Sequence, residues 1–276
     1  MKLKSLLPWL CVLGLLIGLV WMYAANQKKE AELALLIMLD GSNVLSTLCE
    51  NVARKYGKRR GAEILGDYRP PPFGTPPKQM PKSTSDFLDR LETGVGPQAT
   101  REILLKSPHA GPPSAYADDR KMLRASKDVD EYLRRRHEGF VEELREHMVN
   151  GTLFFNQKID RDVLDFVKGN PEIGGGVRRG KTIYCTKVPY MAIEYLREKD
   201  KRRKRYYYCH CPLARESITS GRKMSRNLCY CSAGFEKAPF EAAFGEPVKV
   251  RVLKSALWGD SLCRFALEIP EGYRKD

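Results

Sequence analysis

The chain has 276 residues, 42% hydrophobic and 30% charged, which excludes a wholly disordered protein and leaves room for one large or two small domains. Its formal net charge of +14 points to an anionic partner, nucleic acid or membrane, or to a self-repelling soluble surface. Six of its eight cysteines lie at or beyond Cys185, a density that implies ligation, cross-linking or reactive thiols.

Leu6–Ala25 is a run of twenty residues without a charge, preceded by Lys2 and Lys4. As a helix, that length spans a hydrocarbon core of about 30 Å. A cleaved signal peptide has a shorter apolar run, of ~7–15 residues, and a small residue at the −3 position. Met22-Tyr23-Ala24-Ala25 places a large residue there. Residues 1–29 therefore read as one uncleaved transmembrane anchor. Lys28 and Lys29 balance Lys2 and Lys4, so the positive-inside rule does not orient it.

Residues 30–65 read as helical: Leu33, Leu36, Ile37, Val44, Leu45, Leu48 and Val52 recur at helical spacing, and Asp40 or Ser42 can cap a second segment after the break near Gly41. Cys49 falls on the apolar face. Residues 66–125 read as irregular. Six prolines lie between 70 and 81, and Pro108, Pro112 and Pro113 mark a second break, with His109 as a solvated loop residue. From Ser126, read as a cap, a helix runs to Gly151 with an apolar stripe of Val129, Leu133, Val141 and Leu144; His137 and His147 read as surface residues. A short helix follows, ended by Gly169-Asn170-Pro171.

The period then shortens. Residues 181–190 read as a strand, and 246–255 and 261–270 alternate as a hairpin around the turn Ala256-Leu257-Trp258-Gly259-Asp260. That register buries Val250, Phe265 and Leu267 and exposes Lys249, Arg251 and Arg264. Between strands, 235–245 reads as an amphipathic helix stopped by Gly245. The expectation for 126–276 is an α+β domain, an antiparallel sheet with helices packed on one face, preceded by a single N-terminal transmembrane helix.

Cys209-His210-Cys211 and Cys229-Tyr230-Cys231 are two C-x-C pairs. On strands, each pair shows both thiols on one face. Cys209, Cys211, Cys229, Cys231 and Cys263 can then converge in one pocket, with Cys185 nearby, and bind zinc or another thiolate-bound metal. The spacing is tighter than the C-x2-4-C of structural zinc sites. Disulfides and plain burial are the alternatives. Pro212 reads as the first residue of a helix, which sets Cys211 at a positive helix end with Arg215 one turn on, conditions that favour its thiolate. Before this cluster, the basic run 201–205 and Tyr206–Tyr208 suit phosphates and stacked bases, anionic headgroups, or a solvated loop leading into a tyrosine-rich strand.

The stretch from Cys229 to Pro270, with its Gly-x-Pro-Val and closing G-D-x-x-C-x-F, resembles the end of the 4-vinyl reductase sensor domains and of the L-2-amino-thiazoline-4-carboxylic acid hydrolase family. It also resembles uncharacterised prokaryotic proteins with CHCPLxRES and CYCSAGF blocks. The resemblance covers about 181–270, faintly 126–180, and neither the anchor nor the proline-rich stretch. The sensors' metal scheme places Cys263 and Cys229 as ligands, but Val252 and Ser255 stand where a glutamate and a further cysteine would be. The resemblance implies a sensor-like domain that binds a small molecule or metal through its Cys/His cluster; Arg215, Tyr208 and Phe235 are the candidate ligand contacts in this chain. The hydrolase alternative uses Cys211 as nucleophile with His210 and Glu216, or Asp260, in acid–base support. The partners expected are a membrane and a small-molecule ligand; a homodimer is compatible, and nucleic acid is set aside. If residues 1–25 are a retained anchor, the expressed chain fractionates with membranes and its intact mass includes them; a soluble chain beginning near Asn26 would refute this reading.

Overall fold

The computed structural model describes Met22 and residues 40–273. Met22 apart, the anchor expected over 1–29 and the segment 30–39 lie outside the described residues, among which no helix is long and apolar enough to cross a membrane. Helix α1 (Gly41–Tyr56) starts at Asp40, whose carboxylate accepts the N–H groups of Ser42 and Asn43 at 2.9 and 3.0 Å. Gly57 separates it from α2 (Lys58–Leu65).

The stretch 66–125, expected to be irregular, holds two helices, α3 (Met80–Leu104) and α4 (Ala117–Ala125). The prolines permit this because they stand at helix beginnings. Pro81 occupies the first turn of α3, where a missing N–H breaks no bond, and Pro97 restarts the helix after a kink at Gly96 (φ 79°). Helix α5 (Val129–Asn150) is capped by Asp128, which accepts the N–H of Glu131 at 2.8 Å; Ser126, the expected cap, instead ends α4. Asp160 caps α6 (Arg161–Lys168).

The remaining elements are β1 (Val177–Arg179), β2 (Thr182–Thr186), α7 (Ala192–Arg197), α8 (Lys201–Tyr208), α9 (Arg215–Ser220), α10 (Cys229–Phe244), β3 (Lys249–Lys254) and β4 (Arg264–Glu268). Two expectations change here. The basic run and its three tyrosines form helix α8, capped by Asp200, because Tyr208 packs on Tyr195 in a small core with Ile218 and Ala256. Tertiary packing overrides the strand preference of tyrosine. The CYCSAGF block is helical, so the helix expected from 235 begins at Cys229 and carries Pro239 within it.

The sheet is antiparallel in the order β1-β2-β4-β3. Ile183 and Val250 flank Leu267, while Cys185 and Val252 flank Phe265. These side chains form a core with Tyr132 and Leu133 of α5 and Ala233, Phe240 and Phe244 of α10. The expected register holds: Phe265, Leu267 and Val250 are buried, Lys249 and Arg251 exposed. Arg264 departs from it, being half-buried in a two-point pairing with Glu172. The connection is longer than a tight Gly-Asp turn. A 3-10 turn at Ala256–Trp258 precedes Gly259, and Asp260 accepts the Ser255 N–H at 2.9 Å.

A second core joins α1, α2 and α3 to Leu213, Leu228 and Cys231. Polar contacts tie the same surfaces together, with Thr84 Oγ1 donating to the Leu213 carbonyl at 3.1 Å and Arg101 Nε donating to Asn227 Oδ1 at 2.7 Å. Helix α10 passes so close to the end of α3 that a Cβ at Gly234 would lie 2.3 Å from the Leu105 carbonyl oxygen. Denaturant unfolding checks this packing. Phe265→Ala should cost about 3–5 kcal/mol, Gly234→Ala about 1–3 kcal/mol by overpacking, and exposed Arg251→Ala no more than ~0.5 kcal/mol.

Candidate functional site: a thiol-lined cavity

The sheet, α10 and the loop after α8 enclose a cavity of about 380 Å³. Each wall supplies thiols. Cys185 comes from β2, Cys209 and Cys211 from the loop between α8 and α9, Cys229 and Cys231 from α10, and Cys263 from the turn before β4. Phenylalanines fill much of the rest, among them Phe140, Phe235, Phe240 and Phe265. Phe154 and Phe155 enter from a tight turn in which Phe155 and Asn156 hold left-handed backbone (φ 46° and 62°). Gln157 pins that turn by donating to the Pro189 carbonyl at 3.0 Å and accepting the Ala192 N–H at 2.8 Å.

Cys209, His210, Cys211, Cys229, Cys231, Cys263 and Phe235 all line this cavity, though not by the expected local geometry. Neither C-x-C pair lies on a strand. In α10, residues two apart point about 200° from each other, so Cys229 meets Ser255 Oγ at 3.0 Å while Cys231 meets Ser107 Oγ at 3.5 Å on another side. All seven described cysteines are free thiols. Among the described residues, no three Cys, His, Asp or Glu side chains are grouped so as to hold a metal ion. The sulfurs surround a space rather than a point, and the donor set as arranged does not fit a zinc centre.

Four expected site residues lie elsewhere. Tyr208 is fully buried in the neighbouring core, its hydroxyl donating to the Lys187 carbonyl. Arg215 is stacked between the rings of Tyr190 and Tyr206 at 4.5 and 5.1 Å, and Glu216 accepts the Tyr206 hydroxyl at 2.7 Å. Asp260 is occupied in its turn. His109, expected to be a solvated loop residue, lines the cavity instead.

The protonation of the site runs against nucleophilic chemistry. Burial pushes the thiols up: Cys231 to about 12, and Cys209, Cys185 and Cys229 also well above the ordinary thiol value. Burial raises Cys211 too, although the N–H groups of Leu213 and Ala214 oppose it. The expected thiolate is therefore not favoured. The helix after Pro212 starts only at Arg215, so no helix end reaches the sulfur directly. Burial, with Lys187 close by, holds His210 down at about 3. Its Nε2 donates to the Val188 carbonyl at 2.6 Å, and its ring meets the edge of Tyr190. A proton moving from Cys211 to this imidazole would climb several pK units.

One polar corner was not singled out in the sequence. Lys187, just after β2, donates to Ser232 Oγ at 3.1 Å, lies 3.6 Å from Glu236, and sits 5.0 Å over the Phe235 ring. Across the cavity Arg136 pairs with Asp119 at 2.6 Å and covers Phe240 at 4.8 Å. The signal for the first set was present. Ser232, Phe235, Glu236 and Pro239 are spaced i, i+3, i+4, i+7, one face of a helix, once the CYCSAGF block is taken as helical.

A family of unknown function (DUF6144) matches residues 192–271, which span α7 to β4 and include both C-x-C blocks. No curated protein and no solved structure matches the chain. The match supports the resemblance to a domain family without an assigned function. It adds nothing to the resemblance to the vinyl reductase sensors or the thiazoline hydrolases.

A buried imidazole held neutral makes folding sensitive to acid. Burial holds His210 down at about 3 in the folded chain, against an ordinary imidazole value of about 6.5 when unfolded. Between these values the unfolded chain binds the extra proton, so stability falls as pH drops from about 6.5 toward 3, by at most ~1.4 kcal/mol per unit. Unfolding curves across that window should show the slope in the wild type and less of it in His210→Gln, which keeps a donor for Val188. An unchanged slope would show that other groups cause it.

Proposed function

We propose that this α+β domain is a membrane-tethered binding module for a small, mostly apolar molecule carrying one polar group. The cavity is the observation that supports the reading. Its volume of about 380 Å³ falls within the ~300–1,000 Å³ range of small-molecule sites, which are mostly apolar with a few convergent polar groups. Phenylalanine rings and protonated thiols supply the apolar wall, and thiols in this state behave as small hydrophobes. Lys187, Ser232 and Glu236 supply the polar corner, where Lys187 can exchange its loose contact with Glu236 for a ligand oxygen. The segment Leu6–Ala25 supplies the tether.

The metal reading is weaker, because ligation by the five expected cysteines requires their walls to close on one point. The hydrolase reading is weaker too. It requires a thiolate at Cys211 and a base at His210, and burial opposes both.

The test uses 1-naphthoic acid, an apolar bicycle with one carboxylate, on the full chain in nanodiscs. It should raise the thermal midpoint and slow alkylation of Cys229 and Cys263, and Ser232→Phe, which fills the polar corner, should abolish both effects. Naphthalene alone should bind at least about tenfold more weakly, as expected when a buried polar partner is lost. No stabilisation by millimolar naphthoic acid, together with stoichiometric zinc in the purified chain, would replace this reading with the metal one.

A further inference from the structure

Half of the chain's positive excess sits in one short segment. Residues 198–226 hold ten lysines and arginines against three acids. The fold gathers them into one surface. Arg202 of α8 reaches the end of α9, donating to the Ile218 and Thr219 carbonyls beside Gly221 and the Arg222-Lys223 loop. Arg205 reaches the Ala256 carbonyl at 3.4 Å, on the turn that carries Trp258, and Arg226 stacks on Trp258 at 4.5 Å. Among the described residues, no acid lies within 4.0 Å of Lys201, Arg202, Arg205, Arg222, Lys223 or Arg226; in α8 only Arg203 has an ion pair, with Glu198. The acids nearby are otherwise used: Glu92 by Ser225 and Asn227, Glu216 by Tyr206, Asp260 by Ser255, and Asp200 by the cap of α8.

We propose that this surface, formed by α8, the 221–226 loop and the 256–259 turn, docks the domain onto an anionic lipid bilayer. Two observations favour lipid over nucleic acid. Single-stranded nucleic acid needs aromatic faces for its bases as well as cations for its phosphates. Here the rings are engaged: Tyr206 by Arg215, Tyr207 edge-on by Tyr206, Tyr208 by the buried core, and Trp258 by Arg226. Headgroups need only the cations. The same chain also carries the uncharged run Leu6–Ala25, and stable membrane attachment takes two signals, of which a basic surface is a usual second. Of the surface's elements only the turn reaches the cavity, through Leu257, and none of the basic side chains lines it, so the docking stands or falls independently of the ligand.

Lysine acetylation read by mass spectrometry tests it on the full chain in nanodiscs, because the anchor is then the same in every arm. With about a third of the lipid as phosphatidylglycerol, acetylation of Lys201 and Lys223 should slow by roughly fivefold or more relative to phosphatidylcholine discs, through headgroup contacts within a Debye length. Lys58 and Lys78, exposed on other elements, should not change. High salt should restore the rates, and Arg222→Glu, on the exposed loop, should reduce protection at Lys201. Equal rates in the two lipids would overturn the proposal. So would protection of these lysines by poly(U) in neutral discs without protection by phosphatidylglycerol, which would make the surface a nucleic-acid site.

Discussion

A helix with no exposed residue has to be covered on every side, and α10 is such a helix. Cys231 and Tyr230 enter the core built on α1–α3, while Ala233, Phe240 and Phe244 enter the core on the sheet. Its charges are neutralised in place: Lys237 pairs with Glu241, and Glu236 with Lys187. This dependence explains Gly234, where the backbone of α3 leaves no room for a side chain. It also explains why the helices before residue 126 matter to a site whose chemistry lies almost wholly after it. Without α3, one side of α10 and the loop at Leu213 would face water.

The cavity follows from the same helix. Where α10 approaches the sheet, the residues that meet are small: Cys229 and Ser232 on the helix, Cys185 and Cys263 near the strands. Large side chains there would close the gap, and small ones leave it open. Thiols suit such a wall because they tolerate burial in neutral form, as their raised pKa values indicate. The concentration of cysteine that suggested ligation thus has a second explanation, a compact wall that is apolar at neutral pH. The neutral His210 belongs to it as well, with its one N–H committed to the Val188 carbonyl.

Elements whose signal is local were legible in the sequence. The Asp40 cap, the α6 stop at Gly169 and the alternation of β3 and β4 all rest on neighbours in the chain. The misreadings share a cause. Three tyrosines read as strand form the end of α8 because Tyr208 finds its partner at Tyr195; C-x-C pairs read as strands lie in a loop and a helix because α10 needed covering. Proline content suggested an irregular stretch over 66–125, yet position mattered more than number, since Pro81 and Pro97 begin helical turns. Of the site, cysteine density alone located the right walls. The Lys187 corner required the contact of a strand end with a helix forty-five residues later, which no local pattern contains.

The cavity and the basic surface share their supporting elements. Cys209, His210 and Cys211 follow directly from the basic helix α8, and Ser255, on the cavity wall beside Cys229, starts the turn that carries Trp258 to the basic surface. Arg205 ties the two by reaching that turn, and Arg202 ties α8 to the end of α9. The basic surface and the loop that forms one cavity wall are therefore joined by hydrogen bonds and by direct chain continuity. Arg215 stands at the junction. Its guanidinium is clamped between Tyr190, which touches His210, and Tyr206 of α8, and its Nε is buried without a partner. Two ring faces thus hold the guanidinium between α8 and the segment that meets His210.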